Sequence, residues 1–376
     1  MRATLADASL ARYAGRFVWL DLDYDKPANQ AFLARHGATS FPLFFVLDPA
    51  DEHATATQLG GMTLPELTNF LERGERGVLA NSAAPADAAL AKGDAALARG
   101  RGAEAADAYR EALRLGGAAW PGRGRAVGSL TWTLMLNGQS QFCVETSTAE
   151  APHLARDQEF SRVVLAGLMC LQGQSGPWAK SARAALEPLA AEAIAIPATL
   201  RDHRFQLYQQ LMSDAAGRSD KATVERWGGL WLKELDATQP ANDDERSALD
   251  IARVDAASLL DDPKRVLPAL EASAQAMPDN YNASLRLAQM EDAAKQYDQA
   301  LAACDRGLEH VTGPMGRSWL LQTKADAYWD AGRPEEARGA LEEALKVAQE
   351  IGDPSMRDMN VMMISRKIQM IEKKGK

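Results

Sequence analysis

From about residue 87 onward, apolar side chains recur every three or four positions in short runs, and Gly or Pro ends each run. Residues 317–349 show the pattern most clearly. Leu321, Ala325 and Tyr328 share one helical face, Ala331-Gly332-Arg333-Pro334 breaks the run, and Ala337, Leu341 and Ala344 mark a second helix. Glu335, Glu336, Glu342 and Glu343 take its polar side. Gly at a helix end and Pro at the next start predict a helix–turn–helix. The small residues at 325, 337 and 344 let the two helices approach closely. Such a pair buries too little apolar surface to stand alone and must stack on neighbours.

This spacing resembles the tetratricopeptide repeat, a 34-residue helical hairpin. Two further segments fit the ruler: Leu287, Ala288, Tyr297, Ala300, Leu301 and Leu308, and Gly93, Gly100, Ala105, Tyr109 and Ala112. Lys92 and Lys324 stand where the family has Leu. Hairpins are expected at 87–99 with 102–115, 124–137 with 139–153, 157–173 with 178–194, and 200–217 with 219–236. Three more are expected at 243–260 with 263–276, 280–293 with 296–309, and 316–330 with 334–349. Between about 120 and 276 the repeat pattern fades, and helical periodicity with Gly and Pro breaks carries the assignment. A last helix from Asp353-Pro354 shows Val361, Ile364, Ile368 and Ile371 as one stripe, with a lysine-rich end suited to a polar cap.

The first 75 residues read differently. A short helix over 3–15 precedes Arg16-Phe17-Val18-Trp19-Leu20-Asp21-Leu22-Asp23, which predicts a buried strand ending in acids. A helix over 29–36, strands over 43–47 and 54–59, and a helix from Thr63 follow. Thr63 and Glu66 form a capping box, and Pro65 falls in the first turn, where its missing N–H costs little. This order resembles the later part of a thioredoxin fold, carried by the acid-ended strand, the Phe41-Pro42 step, Val46-Leu47-Asp48-Pro49 and Gly60-Gly61. The resemblance implies a cis Pro42 beside a redox dithiol, yet no C-x-x-C occurs in the chain. The central strand expected before residue 3 is missing too, and it would leave two strands without their common neighbour.

The fold class expected is therefore mixed. A small, incomplete α/β thioredoxin-like domain spans 1–75, a small-residue linker 76–86, an all-α superhelix of tetratricopeptide-like hairpins 87–352, and a capping helix 353–376.

The net charge of −9 weighs against nucleic acid or an acidic membrane as the main partner, and no apolar run is long enough to span a bilayer. The opening residues lack a secretory apolar segment, which makes a cytoplasmic location the expectation; export stays open if the natural start is upstream. Cys143, Cys170 and Cys304 are odd in number and far apart, predicting buried reduced thiols.

Asp21, Asp23 and Asp25 lack the glycine-containing loop of a calcium site, and His36, His53, His153, His203 and His310 are scattered singly, so no metal is expected. Asn282-Ala283-Ser284 fits a glycosylation sequon inside an expected helix. No nucleotide-binding or serine-hydrolase signature occurs, and no cofactor is expected. Ser40, Phe41 and Pro42 could pair with an extended peptide, but the structural reading of Pro42 is favoured. Most tryptophans are expected in the core. The repeat resemblance places Trp319, Gln322, Asp326 and Trp329 on a concave face. The function expected is a non-enzymatic protein-binding scaffold with a protein or peptide ligand. The alternative is a thiol–disulfide oxidoreductase or chaperone whose C-x-x-C lies upstream of Met1.

Overall fold

The computed structural model describes residues 2–23, 26–36, 42–59, 61–79 and 85–374. They divide into two compact units, Met1–Gln210 and Leu211–Lys376.

The first unit opens with helix α1 (Arg2–Leu5) and a 3-10 turn, Ala8–Tyr13. Helix α2 (Gln30–His36), strands β1 (Leu43–Leu47) and β2 (Ala54–Leu59), and helix α3 (Leu64–Leu79) follow. β1 and β2 pair antiparallel, with Phe44 opposite Gln58 and Val46 opposite Ala56. The capping box forms: the Thr63 amide donates to Glu66 Oε2 at 2.7 Å, and the Glu66 amide donates back to Thr63 Oγ1 at 3.4 Å. Tyr13, Val46, Ala56, Met62, Leu67, Phe70 and Leu71 make the small core beneath the sheet. α3 continues to Leu79, inside the expected linker 76–86.

The predicted strand over residues 16–23 does not form. Phe17 packs on the small core, but Val18 and Leu20 are 88% and 73% exposed. A strand must pair its backbone N–H and C=O groups with a neighbour, and among the described residues β1 and β2 pair only with each other. The segment is apolar enough for a strand, but no described strand pairs with it. A thioredoxin-like domain is accordingly not shown; the described residues build a two-stranded sheet backed by α3. Ser40 and Phe41 lie outside the described residues, and Pro42 is exposed just before β1. Asp21 and Asp23 are exposed, and Asp25 lies outside the described residues.

Helical hairpins make up the rest of the first unit: α4 (Pro85–Ala98) with α5 (Gly102–Gly116), α6 (Arg123–Leu136) with α7 (Ser140–Glu150), and α8 (Gln158–Leu171) with α9 (Pro177–Ala195). α10 (Arg201–Gly217) crosses the boundary between the units. The second unit holds α11 (Lys221–Ala237), α12 (Asp243–Leu260) with α13 (Leu267–Ala276), and α14 (Tyr281–Ala293) with α15 (Tyr297–His310). It ends with α16 (Pro314–Asp330), α17 (Pro334–Ala348) and α18 (Pro354–Lys374).

Close packing explains the small residues of the ruler. A Cβ on Gly93 would stand 2.5 Å from the Tyr109 ring, so only Gly lets α4 and α5 close over it. Ala105, Tyr109 and Ala112 are fully buried there, as are Ala337 and Ala344 in α17. Gly332 makes the α16–α17 turn at φ +76°, a conformation that side chains with a Cβ rarely adopt.

The expectation of three reduced thiols is corrected. Cys143 of α7 and Cys170 of α8 form a disulfide with a Cα–Cα distance of 6.3 Å. The sequence reading placed them in different hairpins, but stacking makes the second helix of one hairpin a neighbour of the first helix of the next. Cys304 is free and buried, and burial pushes its thiol up to about 12.

Candidate functional site

Within each unit the first helices of successive hairpins touch: α4 with α6 and α6 with α8, then α12 with α14 and α14 with α16. A helix spaces residues three and four apart on one face. Each row of first helices therefore presents parallel stripes to a shared hollow.

In the second unit the stripes are Leu285 and Gln289 on α14, Trp319, Gln322, Thr323 and Asp326 on α16, and Lys367 on α18. They enclose a groove of about 290 Å³. Trp319 is 40% exposed, a large aromatic surface facing water. The Gln322 amide donates to Ser318 Oγ at 3.3 Å, which fixes its orientation. Lys367 Nζ donates to both Asp326 oxygens at 2.8 and 2.7 Å, tying α18 across the end of the row. Trp319, Gln322 and Asp326 are thus brought together. Trp329, in the last turn of α16, is half-buried and does not line the groove.

Carboxylates behind this groove are poorly solvated. Asp292 lies one turn beyond Gln289, and burial, then the charges of Asp330 and Asp326, push it up to about 6. Glu291 points into the helix packing, where burial outweighs Arg306 and carries it to about 7. Its Oε2 is buried without a hydrogen-bond partner. These folded values lie above the unfolded ones, so the native state holds protons that the unfolded chain releases, and stability falls as pH rises from about 4.5 to about 7. Glu291→Gln is expected to flatten that slope and raise the melting temperature at pH 8 by about 2–4 °C. Calorimetry of the full chain at pH 5.5 and 8 reads both.

In the first unit the hollow is larger, about 800 Å³. Leu97, Trp132, Leu136, Leu165 and Leu200 give it an apolar wall, and Trp132 is half-exposed. One end is a buried polar network. Asp94, 2% exposed, accepts from Tyr109 Oη at 2.8 Å and from Arg125 Nη2 at 3.1 Å to each oxygen. Arg125 Nε donates to Gln58 of β2 at 2.7 Å, and Arg125 Nη1 donates to Ser129. Burial raises Asp94 despite Arg125, and burial, then Asp94, push the Tyr109 phenol well above its usual range. Glu66 and Glu159 flank Arg162 at 3.6 and 3.4 Å; burial and then Glu159 raise the Glu66 carboxyl. Burial, then Arg162, hold His203 below its ordinary value.

The sequence reading missed this hollow. Asp94 and Arg125 are separated by a whole hairpin and form no local motif. Trp132 carried a usable signal, since it stands on the first helix of its hairpin, as Trp319 does.

Asp48, Asp51 and His53 also converge, on the exposed β1–β2 turn. There Asp48 accepts from the Ala50 amide and Asp51 from the His53 amide, so both carboxylates brace the turn. Among the described residues no helix is long and apolar enough to cross a membrane.

No curated protein matches the chain. Among solved structures it is similar to a tetratricopeptide repeat protein from Parabacteroides merdae at 10% identity, over 75% of this chain and 99% of that one, with a TM-score of 0.42. It is also similar to the TPR2AB domain of yeast Sti1 in its pHSP90 complex, at 13% identity over 74% and 98% of the two chains, with a TM-score of 0.28. A family model described as tetratricopeptide repeat matches residues 67–123, 260–312 and 323–360. The chain therefore carries tetratricopeptide repeats in both of its compact units.

Proposed function

We propose that this chain is a non-enzymatic scaffold that holds a segment of a partner protein in the groove between α14, α16 and α18. Stacked helical repeats use their concave surface for binding, and the tetratricopeptide repeat model matches stretches in each of the two compact units. The observation that carries the reading is the joint placement of Trp319, Gln322, Thr323 and Asp326 along one open groove. Trp319 supplies an exposed aromatic anchor, and the flanking amide and charged groups can hydrogen-bond an extended backbone. No covalent chemistry is needed, and none of the groove residues is paired as nucleophile and base.

The test places a photo-crosslinking residue at Thr323, and another at Glu342 on the exposed side of α17, in the full chain in its native cells. A partner adduct is expected from position 323 and not from 342. Trp319→Ala is expected to weaken capture of that partner by about 30-fold, the size of an aromatic hot spot of about 2 kcal/mol, with melting unchanged. Equal crosslinking from both positions, or a melting loss above about 5 °C in Trp319→Ala, would count against the groove.

The buried disulfide favours an oxidising compartment over the expected cytoplasmic one. Alkylation of the unreduced, denatured protein drawn from its native cells should label one cysteine, Cys304. Labelling of three would return the chain to a reducing compartment.

A further inference from the structure

The groove of the second unit is apolar at one end and acidic at the other. On α16, Trp319, Thr323, Asp326 and Asp330 stand at i, i+4, i+7 and i+11, one line about 16 Å long from the indole to the last carboxylate. Asp330 is exposed and continues the stripe one turn past Asp326. Asp292 of α14 lies near enough for the charges of both to weigh on it, and its Oδ1 is buried without a hydrogen-bond partner. Among the described residues Lys367 is the cation that offsets this cluster, and its ammonium is already held by both oxygens of Asp326. Other cations of these helices are drawn elsewhere: Lys324 to Asp305, Arg333 to Glu336 and the Tyr328 ring, and Arg286 to Asp250. Three carboxylates thus face one ammonium.

The floor between the two ends offers unused polar groups. Gln322 and Thr323 both line the groove, and each is only 7% exposed. Among the described residues the Thr323 hydroxyl has no hydrogen-bond partner, and Gln322 uses its amide N–H on Ser318 and leaves its carbonyl oxygen free. Polar groups buried this deeply are ordinarily paired, so these two are set for a partner from outside. Given that this groove is the binding surface, we propose that it selects an extended, basic segment of the partner protein, with an apolar side chain on Trp319 and a Lys or Arg between Asp326 and Asp330. An extended chain advances about 3.3 Å per residue and returns to the same side every second one, so the cation belongs about four residues from the apolar anchor, roughly 13 Å along. The segment's backbone passes over Gln322 and Thr323 and pairs with them. Its cation supplies the positive charge that Lys367 alone does not, and an acidic segment is repelled at the same end.

The test pans a phage-displayed library of random peptides against the immobilised full chain and, in parallel, against Trp319→Ala. Peptides held by the parent and lost by the variant bind in the groove, and they are expected to be enriched in Lys and Arg over the unselected library. The strongest of them, made as a free labelled peptide, is expected to bind Asp330→Lys at least about tenfold more weakly than the parent. Exchanging its Arg or Lys for Glu should weaken it against the parent and restore it against Asp330→Lys to within about threefold of the original pair. Asp330 is exposed at the last turn of α16, where a lysine suits the helix dipole, so the variant should fold. Groove-dependent peptides without basic enrichment overturn the basic segment and leave the groove standing, and so does a basic peptide that binds Asp330→Lys as well as the parent. If no peptide is lost on Trp319→Ala, the groove itself fails as the binding surface, and the basic segment fails with it.

Discussion

Arg125→Met is expected to cost the first unit about 3–5 kcal/mol, the usual loss when one partner of a buried ion pair is removed. Asp94 is almost wholly buried, and the Arg125 guanidinium against both of its oxygens is the main charge offsetting the burial that raises its carboxyl. Without Arg125, Tyr109 Oη is the remaining side-chain donor at 2.8 Å, and the carboxylate is left charged in a dry site. The same deletion removes the Arg125–Gln58 hydrogen bond, so the sheet loses a tie to α6. Hydrogen exchange should show it as amides of α4, α5 and α6 opening faster by roughly two to three and a half orders of magnitude. The loss should be smaller at pH 5 than at pH 8. Asp94 already has a raised carboxyl, and losing Arg125 raises it further, so lowering the pH neutralises the stranded charge within the native state. Arg125→Lys should fall in between, since an ammonium keeps the charge but not the fork that spans Asp94, Gln58 and Ser129. Asp94→Asn added to Arg125→Met should recover part of the loss. If the two changes simply add, the pair is not coupled and the network has been misread.

The second large effect concerns the disulfide. Cys143 and Cys170 are 27 residues apart, and closing a loop of that size restricts the unfolded chain by about 3.5 kcal/mol on the chain-entropy account. Cys143→Ser with Cys170→Ser should lower the stability of the α6–α9 region by an amount of that order. The variant should also be indifferent to dithiothreitol, whereas the parent should fall to the variant's level once reduced. Both cysteines are buried, so reduction has to wait for local opening and should be slow in the native protein. A parent that melts identically with and without reductant, after alkylation has verified reduction, would remove the stapling role.

How much of this could be read from the residues alone depends on how local the governing interaction is. The hairpins were legible because period, glycine turns and proline starts are written within a few residues of each helix. Gly93 against Tyr109 and the Thr63–Glu66 cap are of that kind. The groove stripe was legible up to Asp326 for the same reason: residues 319, 322 and 326 follow one helical face. Trp329 lies ten residues from Trp319, which turns it by about 80° to the stripe's margin. What stayed illegible is non-local. Nothing near Cys143 specifies Cys170, and nothing near Asp94 specifies Arg125. Residues 16–23 are the opposite case: their own pattern is strand-like, but among the described residues no strand pairs with them.

The exposed apolar run within residues 16–23 bears on how the protein behaves at high concentration. Phe17 to Leu22 is short, aromatic and branched, and free of proline, the composition that nucleates aggregation when it lies open to water. Asp21 and Asp23 act as gatekeepers within and just after the run, and the chain's net charge of −9 keeps copies apart. Both safeguards are acidic. Near the isoelectric point of about 5.3 the long-range repulsion vanishes while the apolar run stays exposed. The protein should therefore turn turbid as it is brought from pH 8 to about 5.3, and Val18→Lys with Leu20→Lys should keep the solution clear.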